Sequence, residues 1–321
     1  MLTNSRTIWI ATPANSSEAQ RQRTLSIRLY DPRVSSGIAS AATTAIAYTS
    51  TKRIVCEYDP ELMANEVLYE IATGVARVTI NRPERRNAMS FEVMQGLRDA
   101  FARARADVDV RVVVLTGAGE KAFCAGADLG SGGIADGAAS AHDGRGLLAD
   151  LFRDMWQLGK PVIARVRGYA LAGGFGLACA CDLIVASDDS VFGTPEINVG
   201  LWPYMITVPL LRSMPPKTAL DLMMTGRRVS AEEGARIGFV QRIVPVAELD
   251  ATVDALAAEL ASKSPIIMRW GRDAFYRVLE MDADAALSYL QGMLTVTSQT
   301  EDAAEGVAAF AEKRAPQWKG R

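Results

Sequence analysis

The chain has 321 residues, with 35 basic residues against 37 acidic ones and 49% hydrophobic residues. This describes one large or two modest globular domains with a sizeable core, and a net charge of −2 argues against a nucleic-acid binder, which carries a basic face. No apolar run reaches the roughly 18 residues of a membrane span, and four cysteines do not make a disulfide framework; Cys124, Cys179 and Cys181 sit among apolar residues and read as reduced, buried, intracellular thiols.

In chain order, residues 1–62 come first. They are rich in Ser, Thr, Ala and Arg and show no clear helical or strand period. They read as a disordered extension, or as a start placed before a true beginning near Met63. An Arg- and Ser-rich, acid-poor opening also suits a mitochondrial transit peptide, although no convincing amphipathic helix accompanies it; otherwise the expected location is cytoplasmic. From Glu66 the pattern sharpens. Val75 to Ile80 alternates like a strand, and Asn81-Arg82-Pro83-Glu84 breaks it. Ser90 is a candidate N-cap for a helix to about Arg105. Val110 to Leu115 is a continuous β-branched run, the mark of a buried strand. Residues 130–146 are rich in Gly, Ala and Asp and read as a mobile loop, with a helix from about Leu147 to Leu158.

Pro161 to Val166 reads as another strand, Gly173-Gly174 opens a helix ending near Asp182, and Leu183 to Ala186 is the next strand. Strands alternating with helices predict an α/β architecture. After Gly200 the chain turns helical. Ser230-Ala231-Glu232-Glu233 is a capping box, Ser264-Pro265 is an N-cap with proline at the first helical position, and residues 247–262, 265–279, 283–298 and 302–312 carry helical spacing.

The chemistry is bounded by one count. His142 is the single histidine, so a His-based metal site and most Ser/His/Asp triads are excluded. No nucleophile elbow, phosphate-binding loop or Cys-x-x-Cys pair is present either. An enzyme with this sequence works with carboxylates and backbone amides. Two segments suit that role: Phe123-Cys124-Ala125-Gly126-Ala127-Asp128-Leu129, and Gly168-Tyr169-Ala170-Leu171-Ala172-Gly173-Gly174. Both follow a strand and hold small residues that let a ligand approach the backbone. The second enters a helix, whose first N–H groups are unpaired and lie at the positive end of its dipole. Two such groups aimed at one oxygen make an oxyanion hole; the same residues also suit two tight packing corners.

Together with these segments, Asn81-Arg82-Pro83, Arg86-Asn87-Ala88-Met89, Cys181-Asp182, Phe192-Gly193-Thr194-Pro195-Glu196 and Phe310-Ala311-Glu312-Lys313-Arg314 occur in an order and spacing that resembles the enoyl-CoA hydratase/isomerase (crotonase) family. The resemblance covers about Asn65 to Arg321. It implies a spiral of β-β-α units over residues 63–262 and a C-terminal helical region over 263–321 that serves assembly and the acyl-CoA pocket. It also implies a homotrimer or homohexamer and an acyl-CoA substrate, with no metal and no cofactor beyond CoA as part of the substrate.

By the same resemblance the N–H groups of Ala127 and Gly173 hold the thioester oxygen, and Glu196 matches a proton-transferring glutamate. The Ala125 carbonyl matches an adenine contact, and Arg85 and Arg86 lie where the family meets CoA, in reach of its phosphates. Phe310 and Lys313 match residues that reach a neighbouring subunit's CoA. Ala88, Gly126, Asp128, Leu129, Tyr169 and Gly174 complete the expected substrate-binding positions, although Asp128 also reads as a cap or structural partner. Trp202 and Tyr204 are candidate walls of the acyl pocket, Tyr204 with a hydroxyl to donate.

One departure bears on the reaction. The family's hydratases use two glutamates, and the position of the first is Gly176 here. A single carboxylate resembles the Δ3,Δ2-enoyl-CoA isomerases, in which one base carries a proton between C2 and C4 and no water is activated. The expected reaction is therefore double-bond isomerisation. Hydration with water held by another group is the alternative, and a non-catalytic CoA-binding relative is the rival from another class. A peptidase is discounted, because His142 in its loop is the only base available to a serine. Cys124 has no base beside it and reads as packing.

Overall fold

The computed structural model describes residues 66–128 and 138–321, with three short strands inside residues 1–62. The chain divides into two compact units, residues 1–62 and 63–321. In the first unit β1 (Arg28–Leu29), β2 (Ala45–Thr49) and β3 (Lys52–Cys56) form an antiparallel sheet in the order β1-β3-β2. The other residues of the expected extension lie outside the described ones.

The second unit repeats one motif. β4 (Val67–Ala72) and β5 (Val75–Ile80) precede α1 (Phe91–Ala106), and β6 (Val112–Gly117) and β7 (Ala122–Cys124) precede α2 (Ala138–Trp156). β8 (Val162–Val166) and β9 (Tyr169–Leu171) precede α3 (Gly173–Ala180); β10 (Leu183–Ser187) and β11 (Val191–Gly193) precede a 3-10 turn, Pro195–Val199, and α4 (Thr207–Ser213). The chain continues through α5 (Pro216–Thr225), β12 (Arg228–Ser230), α6 (Ala231–Ile237), β13 (Arg242–Val244) and α7 (Leu249–Ala261). It ends in α8 (Pro265–Val278), α9 (Ala283–Thr297) and α10 (Glu301–Glu312). Leading strands join a six-stranded sheet in the order β13-β10-β8-β6-β5-β4, and following strands join a four-stranded sheet in the order β12-β11-β9-β7. This is the expected run of β-β-α units followed by helices.

The apolar run of β6 is explained by burial on both faces of its sheet. Val113 and Leu115 enter the main core with α1, while Val112 and Val114 pack with Leu249, Val253 and Leu256 of α7. The expected caps form: Ser90 Oγ accepts the Val93 N–H at 3.2 Å, Ser230 Oγ the Glu233 N–H at 3.2 Å and Ser264 Oγ the Ile267 N–H at 3.3 Å. Each ties up one of the unpaired donors that open a helix. Among the described residues, no helix is long and apolar enough to cross a membrane.

The expected loop over 130–146 needs correction. α2 already begins at Ala138, because the alanines of Ala138-Ala139-Ser140-Ala141 are the strongest helix formers. His142 consequently lies exposed on that helix and not in a loop bordering a pocket. Residues 129–137, Leu129 among them, lie outside the described residues.

Candidate active site

Three parallel strands of the four-stranded sheet end side by side. β7 pairs with β9 through Cys124 and Ala170, and β9 pairs with β11 through Leu171 and Gly193. Ala127 lies three residues beyond Cys124, Gly173 two beyond Leu171, and Glu196 three beyond Gly193. Parallel register therefore delivers all three to the carboxyl edge of one sheet, the edge where α/β proteins place ligands.

The loop after β7 is pinned by the turn after β5. Met89 donates its N–H to Gly126 O at 2.8 Å and accepts from Asp128 N at 2.9 Å, and Ala125 N donates to Arg86 O at 3.0 Å. Beneath this contact lies Asn87, fully buried and at φ 55, a backbone region that asparagine tolerates better than most residues. Its Nδ2 donates to Ala118 O at 2.9 Å and Ala122 O at 2.7 Å, and its Oδ1 accepts from Arg82 N at 3.0 Å. Arg82 donates to Ala88 O at 2.7 Å and pairs with Asp128 at 2.9 Å and Glu66 at 3.2 Å. The sequence motifs included Arg82 and Asn87, but neither was assigned a role from sequence. The available signal was their place in a strand-terminating turn, where a buried asparagine replaces missing backbone partners.

The loop after β9 meets the first loop at two small residues. A Cβ on Gly126, whose φ is 103, would stand 2.7 Å from Ala172 Cβ. Ala172 itself holds φ 52 and ψ −128, a sparsely populated conformation for a residue with a Cβ. Its N–H donates to Gly193 O at 2.9 Å, and its carbonyl accepts from Phe175 N at 2.9 Å and Gly176 N at 3.1 Å. This turn leaves the Gly173 and Gly174 N–H groups at the open end of α3. A Cβ on Gly173 would stand 3.9 Å from Ala127 N and 2.7 Å from Met89 Cε, and one on Gly174 only 2.1 Å from Cys124 O. The loops thus lie backbone to backbone, and among the described residues no acceptor takes the Ala127 or Gly173 N–H. Two neighbouring unpaired N–H groups at a helix N-terminus have the form of an oxyanion hole.

Glu196 sits in the 3-10 turn after β11. Thr194 anchors that turn by donating its hydroxyl to Leu222 O at 2.7 Å, and Gly200 closes it at φ 75. Glu196 Oε2 is buried without a hydrogen-bond partner among the described residues. Burial pushes the carboxyl above the usual glutamate range, and an interaction with its own backbone N–H offsets this only in part. A partly dry carboxyl with a raised pKa is equipped to accept and return a proton. Gly176 offers nothing beside it: a Cβ there would stand 2.2 Å from Ile206 Cγ2.

The other expected positions divide. Ala125, Gly126, Ala127, Gly173, Gly174 and Glu196 gather at the strand ends. Arg85 and Arg86 are exposed on the pinning turn, next to Ala88 and one hydrogen bond from Ala125. Asp128 has its carboxylate held by Arg82 at 2.9 Å, in keeping with the structural-partner reading. Tyr169 lies at the far end of β9 with the Arg228 guanidinium 5.3 Å from its ring centroid. Trp202 packs half-buried against the core, whereas Tyr204 is 74% exposed. Phe310 and Lys313 end α10, which packs on α8, and Phe310 lines an apolar groove of about 740 Å³ there with Ile267, Met268, Val307 and Trp318. Cys124 is fully buried with its thiol pushed up to about 12 by desolvation, which leaves it un-ionised and inert.

The sequence profile of the family described as "Enoyl-CoA hydratase/isomerase" matches residues 70–321. The (E)-benzylidenesuccinyl-CoA hydratase of Thauera aromatica is 37% identical over 79% of this chain and 99% of its own length. The carnitinyl-CoA dehydratase of Escherichia coli (strain K12) is 40% identical over 77% of this chain and 96% of its own length. Among solved structures, the enoyl-CoA hydratase of Mycobacterium smegmatis superposes with a TM-score of 0.76 at 35% identity, covering 79% of this chain and 98% of that one. Human enoyl Coenzyme A hydratase domain-containing protein 3 does so with a TM-score of 0.75 at 29% identity, covering 79% and 100%. The architecture is the crotonase fold, and the chain belongs to the enoyl-CoA hydratase/isomerase family of acyl-CoA enzymes.

Proposed function

We propose that this enzyme isomerises the double bond of an enoyl-CoA thioester. In this reading the Ala127 and Gly173 N–H groups donate to the thioester oxygen and stabilise the enolate. Glu196 takes the proton from C2 of a 3-enoyl thioester and returns it at C4. The observation that carries the reading is a buried carboxylate without a partner among the described residues, Glu196 with its free Oε2, at the same sheet edge as two unpaired amides. Proton transfer between carbons needs one base and no activated water. The exposed guanidinium groups of Arg85 and Arg86, which form no ion pair among the described residues, suit the phosphates of CoA, and the Ala125 carbonyl beside them suits its adenine. CoA enters as part of the substrate.

Hydration or dehydration is the second reading, favoured by relatives whose names are hydratase and dehydratase. One ultraviolet experiment separates the two, because the conjugated 2-enoyl thioester absorbs and its isomer and hydrate do not. The expected result is absorbance that rises with a 3-enoyl-CoA and stays constant with a 2-enoyl-CoA. Glu196→Gln lowers the rate by roughly 10²-fold or more, as for other general bases. Absorbance falling with the 2-enoyl-CoA assigns hydration instead.

A further inference from the structure

Glycine fills three of the first four positions of α3. The other, Phe175, is committed to the core, its ring centroid 5.5 Å from that of Phe192 and 5.0 Å from that of Phe239. The first turn of α3 therefore meets the strand-end site with backbone alone. At Gly176 the restriction is spatial as well as chemical. A Cβ there would stand 2.2 Å from Ile206 Cγ2 and 2.5 Å from Ile206 Cβ, distances that packed atoms do not adopt.

Ile206 is held in that place. It is 3% exposed, and its carbonyl accepts the Leu210 N–H at 3.1 Å as α4 begins. The next residue, Thr207, is tied back to Pro203 O through its N–H at 3.2 Å and its hydroxyl at 2.9 Å. The segment that starts at Glu196 is thus fixed at its other end against α3.

Resting on the isomerase reading above, we infer that Ile206 is the specificity-determining residue of the site. It is an apolar plug in the direction in which the first turn of α3 would otherwise send a second acid–base side chain or admit a water. Isomerisation moves one proton: the C2–H electron pair passes into the thioester oxygen as a dienolate, the proton returns at C4, and the double bond re-forms between C2 and C3. Addition of water to a 2-enoyl thioester requires more. A water must lose a proton as its oxygen bonds C3, and C2 must gain one. With Ile206 in place only the first process has its groups and its space.

The test compares the wild type with I206A, I206T, G176E and G176E/I206A, reading hydration of a 2-enoyl-CoA, isomerisation of a 3-enoyl-CoA, and Tm. G176E alone should lower Tm by roughly 5 °C or more, because it overpacks a filled space, and I206A in the same chain should recover most of that loss. The hydration-to-isomerisation ratio should rise by roughly tenfold or more in I206A and further in G176E/I206A, where a second acid–base group has room. I206T keeps the β-branch but replaces the ethyl arm with a hydroxyl, so it reports on water entry if I206A unfolds. An unchanged Tm in G176E, or an unchanged product ratio in folded I206T and G176E/I206A beside an active wild type, overturns the inference alone. Wild-type activity on the 2-enoyl-CoA as fast as on the 3-enoyl-CoA also overturns it. A wild type silent with both thioesters overturns the isomerase reading, and this inference with it.

Discussion

At the scale of single residues, Glu196 carries a cost that the proposed proton-transfer role explains. A carboxylate oxygen buried without a donor lacks the hydrogen bonds that water would supply, and desolvation raises its pKa. As a base it acts when ionised, so the rate should rise with pH through a limb lying above the ordinary glutamate range; measuring kcat/KM against pH checks this. The linkage to stability has the opposite sign. A group whose folded pKa is raised binds more protons in the native state than in the unfolded state, so stability falls as pH rises between the two values. Glu196→Gln should therefore raise Tm at neutral pH. That gain should shrink as pH falls from the raised value to the ordinary glutamate pKa and be gone below it. Thermal melts at neutral and acidic pH distinguish this from a purely steric effect, which would not change with pH.

At the scale of elements, the site depends on two turns being brought closer than side chains normally allow. Gly174 is the closest approach, since a Cβ there would stand 2.1 Å from Cys124 O. Gly174→Ala should cost about 2 kcal/mol or more by overpacking. It should also lower kcat beyond the loss of fold, because the start of α3 and the loop after β7 must part. Chemical denaturation and turnover of the folded fraction together check this. Asn87→Ala tests the support from beneath. It removes donors from one buried and one half-buried carbonyl and an acceptor from Arg82 N, and it leaves alanine at φ 55. The expected loss is about 3 kcal/mol, with turnover lowered through the displaced Ala127 amide and not through any contact with substrate.

At the scale of the whole molecule, the C-terminal helices leave apolar surface uncovered. Leu287 is 67%, Leu294 71%, Val307 73% and Phe310 87% exposed, all large apolar side chains on the last two helices. Self-association is the expected use, in line with the trimer or hexamer implied by the resemblance. Light scattering on the purified chain should report more than one copy, and a Leu294→Asp, Phe310→Asp variant should move it towards the monomer mass. An unchanged monomer mass in both proteins would remove that expectation.

Local pattern alone determined much of this protein. The strand Val75–Ile80, the caps at Ser90, Ser230 and Ser264, and the four final helices within about two residues of their ends were all legible. Their signals, alternation, capping and helical spacing, lie inside a single element. The small-residue corners at Ala127 and Gly173 were legible for the same reason, whereas the departure at Gly176 was legible only through the family resemblance. The second sheet was not, because β7, β9, β11 and β12 are three residues each, too short to show a period. Only the tertiary structure decided that Ala127, Gly173 and Glu196 share one sheet edge, since that follows from strand register between segments far apart in the chain. Only it turned Asp128 towards Arg82, 46 residues away, and only it showed that Ile206 fills the space beside Gly176. A side chain's neighbours across the sequence are set by long-range packing, which no local pattern encodes.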